Sequence, residues 1–348
     1  GALVVPVFWL LLRQLGATRR VAFLGALLLA LDNALVAISR FVLIDSLLLL
    51  FILGAITASL AARRRTGWAR WAWIGASAVA CGLAAGTKWT GLAAPGVVGV
   101  IWLRDALARR ARGGELAGLA VVPAAVYVAA FAVHFALLPQ GGPDGAFADR
   151  MADVHRAMQA GNAEYVTSTH VSASPWWSWP ILKHPIYAWQ GDSVTTTRSG
   201  HVLIVGNLVV WWAALAGMAA IVAAMLRGGA MRARLATRRD ALALLAAAWA
   251  INYLPFALVA RILFLYSYFP AFVFSVALAV AGVGALAGWS DGDDARPWRF
   301  PSRRSAALYW GVAGLAAAMF VFFAPLSYGT PISDAGFRAR TWVIERHF

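Results

Sequence analysis

Cysteine occurs once in the 348 residues, at Cys81 inside an apolar run, which excludes a disulfide and a cysteine-ligated metal site. Acidic side chains are also scarce, 15 Asp and Glu against 30 Lys and Arg. A P-loop, a nucleophile elbow and a dinucleotide fingerprint are all missing. Six histidines are present, but His155, His170, His184 and His201 are scattered without the short spacing of metal ligands. Asp149, Asp153 and His155 form a trio that could gather a divalent ion. The chain also lacks an initiator methionine and the charged n-region of a signal peptide, and is expected to begin inside a longer protein.

Apolar residues are abundant. They make up 61% of the chain, and the mean hydropathy is +0.70. Several runs approach the ~18–20 apolar residues that cross a bilayer. They predict helices over 2–12, 21–38, 42–62, 69–86, 90–103, 117–138, 202–226, 241–259, 262–288 and 306–325. The class is an all-α polytopic membrane protein. Clusters at 13–20, 63–70, 104–112, 227–239 and 296–304 hold twenty of the 30 Lys and Arg, in alternate loops, so that face is expected to be cytoplasmic. The same spread over five short loops speaks against nucleic acid as a partner and for membrane lipid. The stretch 139–201 carries four basic and five acidic residues and is expected outside.

Four regions follow: 1–138 with about six helices, the outer loop 139–201, a four-helix region 202–325, and an outer tail 326–348. Within the loop, PWWSWPILKHPIYAW (175–189) is expected to lie at the interface as a short helix or hairpin. It reads either as an aromatic anchor or as one wall of a lipid or peptide groove. The stretch 289–305 is expected to be a flexible connector.

Ionisable groups at membrane depth are candidates for function. Asp32, inside the second run, reads as a structural partner or as a site residue. Arg40, Lys88 and Arg261 are cations on the face opposite the basic loops. Each could snorkel to the interface. Three on turns that converge suggest an anion site, with a lipid phosphate as the obvious anion. Asp45 reads as a helix N-cap or as a site wall. Asn207, before Trp211, needs a hydrogen-bonding partner at its depth.

LDNALVAISRFVLIDSLLLLF (31–51), GTKWTGL (86–92), SPWWSWPILKHPIYAW, VGNLVVWW (205–212), RILFLYSYFPA (261–271) and PLSYGTPISDAGFRARTWV (325–343) together resemble the protein O-mannosyltransferase family. They occur in the family's order, with Leu208 where proline is usual and Ser267 where histidine is usual. The resemblance implies a C-class membrane glycosyltransferase bundle, of which about ten of eleven helices are present, and a bacterial form, because the outer loop is too short for the β-trefoil insertion of eukaryotic relatives. It implies transfer of mannose from polyprenyl-phosphate-mannose to Ser or Thr hydroxyls of secreted or membrane proteins, on the extracytoplasmic side, without an organic cofactor. A divalent metal is left open, and the translocation machinery is a further candidate partner. The catalytic acidic pair of the family is expected upstream of residue 1. On this reading Arg40, Lys88 and Arg261 hold the phosphate, Trp89, Tyr266 and Tyr268 line the sugar or lipid site, and Asp45 and Asn207 adjoin it. A transferase for another lipid-linked sugar, a transporter of a lipid-linked substrate and a non-catalytic subunit remain open alternatives.

Overall fold

A computed structural model describes residues 1–41, 43–138, 145–166, 169–191, 198–291 and 294–341. The helices are α1 Val4–Gln14, α2 Arg19–Ala30, α3 Asn33–Arg40, α4 Asp45–Arg63, α5 Gly67–Thr87, α6 Ala93–Leu107, α7 Gly113–Leu137, α8 Phe147–Glu164, α9 Leu208–Arg227, α10 Gly229–Ala236, α11 Arg239–Tyr253, α12 Phe269–Leu286, α13 Arg303–Tyr328 and α14 Asp334–Thr341. Four short strands accompany them: β1 Ile186–Gln190, β2 Arg198–Ser199, β3 His201–Ile204 and β4 Ile332–Ser333. Among the described residues, six helices are long and apolar enough to cross a membrane, seven if the bent pair α2–α3 is one span, and α1 is a shorter apolar helix. Each expected run overlaps a helix or a broken helix, though not always over its whole length.

The bundle is built from α4 on α5, α5 on α7, and α12 against α9 and α11. Small residues allow the close approaches. A Cβ on Gly217 of α9 would sit 2.6 Å from the Ala279 Cβ of α12, and one on Gly82 of α5 would sit 2.7 Å from the Pro123 carbonyl of α7. The α12 helix is almost wholly enclosed, as its continuous apolar sequence allows.

The expected continuous helix 21–38 is instead broken, with a 58° bend between α2 and α3. Asp32 sits at the break and is the N-cap of α3. Its carboxyl caps α3 by accepting from the Leu35 N–H at 2.9 Å, and its other oxygen accepts from the Asn207 N–H at 3.0 Å and Trp211 Nε1 at 2.8 Å. Asn207 in turn caps α9, and its amide donates to the carbonyls of Leu31 and Ala316, both at 2.8 Å. The N-caps of α3 and α9 are thus tied at one buried point to the end of α2 and the middle of α13.

Three further expectations are corrected. The run beginning at 202 starts as strand β3, and helix begins only at Leu208, because Asn207 is an N-cap. The runs 241–259 and 262–288 are joined by 3₁₀ turns and an extended piece around Val259–Phe264, so the helix resumes only at Phe269. The stretch 289–305 is anchored rather than free among its described residues. Buried Arg20 donates to the carbonyls of Asp291 and Arg299, Trp289 is buried, and Asp294 pairs with Arg13 at 2.6 Å.

The stretch 139–201 contains a helix, α8, that the apolar pattern does not reveal, since none of its residues is buried. The aromatic stretch forms a 3₁₀ turn at Trp176–Ser178 and then strand β1, which pairs antiparallel with β3. Trp179 is 1% exposed and packs on Tyr253, Phe256 and Tyr268, so it is a core residue and not an interfacial anchor.

β2 pairs with β4, which joins the loop to the tail. His201 is sealed into this joint. Its ring nitrogens face the hydroxyls of Tyr187 at 2.6 Å and Ser199 at 2.7 Å, and its ring lies 4.3 Å from that of Phe337 in α14. Burial holds its pKa below the usual histidine value, and the charge of Asp334 opposes this in part. The depressed value means the joint keeps its full stability above ~6.5, the ordinary histidine pKa, and loses it as pH falls through the folded value. The protection factors of amides in α14 and β4, which compare observed with intrinsic exchange at each pH, are therefore expected to fall from pH 7.5 to pH 5. The fall should vanish in His201→Gln, and equal protection factors at both pH values in the parent chain would contradict it.

Candidate functional site

The site is built at the bundle end where α4 begins. Asp45 is the first residue of α4 and not its N-cap: Ile44 holds that position and makes no side-chain cap. Asp45 is 4% exposed, and its Oδ1 accepts from Lys88 Nζ at 3.1 Å. Lys88 ends α5, where a 3₁₀ turn at Trp89–Leu92 redirects the chain into α6. Gly91 makes the turn possible, because a Cβ there would collide with the Ala84 carbonyl.

Lys88 Nζ also lies 4.6 Å from the ring centre of Tyr266, which stacks on Phe264. Arg261 and Tyr165 act electrostatically on the same Tyr266 hydroxyl. The Ile262 N–H donates to the Tyr165 carbonyl at 3.2 Å, which ties the extended piece before Tyr266 to the end of α8. Lys88, Asp45 and Tyr266 are therefore neighbours, with Arg261 in electrostatic reach, and they come from three separate segments: the start of α4, the end of α5 and the connection between α11 and α12.

Trp89 flanks this group. Its Nε1 donates to the Tyr127 hydroxyl at 3.3 Å, and that hydroxyl is 2.8 Å from His155 Nε2. His155 Nδ1 lies 2.7 Å from the Met151 carbonyl, which can only accept, so Nδ1 carries a proton. The ring is thus spent on positioning α8. Asp153 is paired with Arg156 at 2.6 Å, and among the described residues no group of three His, Cys, Asp or Glu could hold a metal ion.

Arg40 lies on the other side of the connection 41–44. Its Nη1 donates to the Ser327 carbonyl at 2.9 Å, and its guanidinium sits 4.7 Å above the Tyr328 ring. With Ser39, Ser46, Leu35, Leu49 and Tyr328 it lines a cavity of about 320 Å³. The remaining two expected residues are not accessible. Asn207 is fully buried in the cap described above, and Tyr268 is 1% exposed among Trp179, Trp211 and Tyr253. Both are core residues and not walls of a substrate site. Tyr127 went unnoticed in the sequence, His155 was read only as a member of a trio that could gather a divalent ion, and Tyr328 was given no role. Tyr328, in the YG pair that ends α13, carried the only local signal.

Two family models match along the chain. "Dolichyl-phosphate-mannose-protein mannosyltransferase" matches residues 1–139, and "C-terminal four TMM region of protein-O-mannosyltransferase" matches residues 147–345. The chain belongs to the protein O-mannosyltransferase family. Among curated relatives, dolichyl-phosphate-mannose–protein mannosyltransferase 1 of Candida albicans is 34% identical over 181 residues, 47% of this chain and 20% of that protein. Protein O-mannosyltransferase 1 of Drosophila melanogaster is 34% identical over 157 residues, 41% of this chain and 18% of that protein. The chain thus spans about a fifth of the length of these relatives. The solved Pmt1–Pmt2 complex of Saccharomyces cerevisiae bound to the sugar donor matches with a TM-score of 0.83 at 16% identity, over 99% of this chain and 80% of that one. At that identity the likeness shows a shared polytopic helical fold.

Proposed function

We propose that the chain carries the donor-binding part of a glycosyltransferase that moves mannose from a polyprenyl-phosphate carrier to Ser or Thr hydroxyls of proteins. The observation that carries this reading is the meeting of Lys88, Asp45, Tyr266 and Arg261 at one end of the bundle, with Arg40 beside it. The relatives are named for dolichyl-phosphate-mannose, and the solved neighbour is a sugar-donor complex.

In such a transfer the acceptor oxygen forms a bond to the anomeric carbon while the bond from that carbon to the phosphate oxygen breaks. The departing phosphate gains charge, which fixed cations stabilise. Arg40, Lys88 and Arg261 supply them, Arg40 as a fork and Lys88 as a point charge. Trp89 and Tyr266 offer aromatic faces to sugar or lipid. Asp45 is occupied by Lys88 and serves as its counter-ion; it is not the base that takes the acceptor's proton. The basic loops at the far ends of the helices support an extracytoplasmic site. The short outer loop supports a bacterial form, and a second family subunit and the translocation machinery are candidate partners.

The test is transfer of mannose from polyprenyl-phosphate-mannose to a Ser/Thr-rich peptide by the full-length protein in membranes. A full-length protein that is folded and inactive with every mannosyl donor would reject the reading. Lys88→Ala is expected to raise the donor KM by about tenfold or more, with a smaller change in peptide KM. It also strands Asp45, so Lys88→Ala with Asp45→Asn should restore the amount of folded protein without restoring donor use. An unchanged donor KM would remove Lys88 from the phosphate site.

A further inference from the structure

We propose that the bundle end opposite the candidate site contains a second lipid site, which holds the phosphate of an anionic phospholipid. The helix α4 starts at Asp45 and ends at Arg63, 19 residues on. At ~1.5 Å per residue that is ~28 Å, close to the ~30 Å of a bilayer's hydrocarbon core. A ligand at Arg63 is therefore in the other leaflet from one at Asp45, and the site is separate from the donor site.

A cavity of about 370 Å³ opens here between the ends of α1, α4, α6 and α11, beside an adjoining recess of about 270 Å³. Arg63, Arg64, Arg104 and Arg110 line the cavity, against one acidic residue, Asp240. Three of these cations are engaged. Arg63 makes a two-toothed pair with buried Asp105, at 2.7 and 2.8 Å. Arg104 pairs with Asp240 at 2.9 Å, and Arg64 donates to the Gln14 carbonyl at 2.5 Å. Arg110 has no ion pair among the described residues.

The backbone is shaped to present Arg110. Arg109 adopts φ 55°, a left-handed conformation that non-glycine residues avoid. The N–H groups of Arg110 and Ala111 both donate to the Asp105 carbonyl, at 2.7 and 3.3 Å. Arg63 holds Asp105, Asp105 holds the turn, and the turn places Arg110 in the cavity wall. A guanidinium without a counter-ion, in a built recess, calls for a phosphate.

Two features make that phosphate a lipid's. The cavity has an apolar wall of Leu15, Leu60, Val100, Ile101 and Leu244, which suits the first methylenes of acyl chains. Basic pockets between helix ends are also where anionic headgroups bind. Gln14 Oε1 lies in the same wall, buried and without a donor. A headgroup hydroxyl would satisfy it, so phosphatidylglycerol, with both phosphate and hydroxyls, fits the site.

The test is binding of labelled phosphatidylglycerol to the full chain in neutral detergent. Arg110→Gln is expected to weaken binding about fivefold or more, whereas Arg232→Gln, in an exposed basic segment away from the cavity, should leave it unchanged. Val100→Trp, which fills the apolar wall without touching a charge, should weaken it comparably. Phosphatidylcholine should bind poorly, and millimolar inorganic phosphate should not displace the label. Equal affinity in Arg110→Gln and the parent would overturn the site. So would an equal loss in Arg232→Gln, which would mean general surface charge, or displacement by inorganic phosphate, which would mean a soluble-anion site. Size exclusion of each variant separates lost binding from lost fold, and the Arg110 and Val100 variants test the site independently.

Discussion

Arg40→Ala in the full-length protein is expected to lower mannosyl transfer by about two to three orders of magnitude while the protein still accumulates in the membrane. The fold has little stake in this side chain. Arg40 is exposed at the end of α3, and it gives up one hydrogen bond to a carbonyl and one ring contact. Those are worth ~1 kcal/mol each, against the larger cost of removing a donor from a charge that develops in the transition state. Arg40→Lys should recover only part of the rate, because an ammonium keeps the charge but loses the planar fork. The measurement is the initial rate of mannose transfer to peptide, normalised to the amount of folded protein. Near-normal turnover in Arg40→Ala would place the phosphate elsewhere and leave Arg40 as the clamp between α3 and the end of α13.

The contrast between Arg40 and Asn207 shows what could be read in the sequence. Long apolar runs carry their own period, so the helices were legible, and so was the sparse set of cations away from the basic loops. Lys88 meets Tyr266, 178 positions away in the chain, and Arg261 acts on Tyr266 electrostatically. What one sequence does not display is which polar residue is used up by a distant partner. Asn207 and Tyr268 have the composition of site residues but are enclosed by segments far from them in the chain. Some arginines on the basic face have a second use that the sequence hides. Arg63 and Arg70, read as charges that set topology, are locked to Asp105 and Glu115 at 2.7 and 2.5 Å. The α8 helix was hidden because it lies on the surface and buries nothing, so its polar sequence carries no apolar stripe.

Asp32→Asn is expected to destabilise the protein by about 3–5 kcal/mol, a far larger loss than its near-identical shape suggests. The carboxyl accepts from three N–H groups: Leu35 and Asn207 on the main chain, and Trp211 on its side chain. It is fully buried, so no water can replace it. An asparagine can keep the Leu35 bond through its oxygen, but its amide nitrogen then points at the Asn207 N–H and Trp211 Nε1, donor against donors. The strain falls where α2 breaks, α9 starts and α13 passes, because Asn207 links Leu31 to Ala316. At roughly 2–4 °C per kcal/mol for a chain of this size, the midpoint of thermal unfolding in detergent should fall by about 10 °C. Trp211→Phe removes one of the stranded donors while keeping the ring stacked on Phe272, 4.2 Å away, so alone it should cost about 1–2 kcal/mol. The decisive quantity is the coupling. Asp32→Asn should cost less in the Trp211→Phe background than in the parent, because one donor is already gone. Additive losses, or an Asp32→Asn protein as stable as the parent, would show that the three N–H groups find other acceptors and that the bend between α2 and α3 does not depend on Asp32.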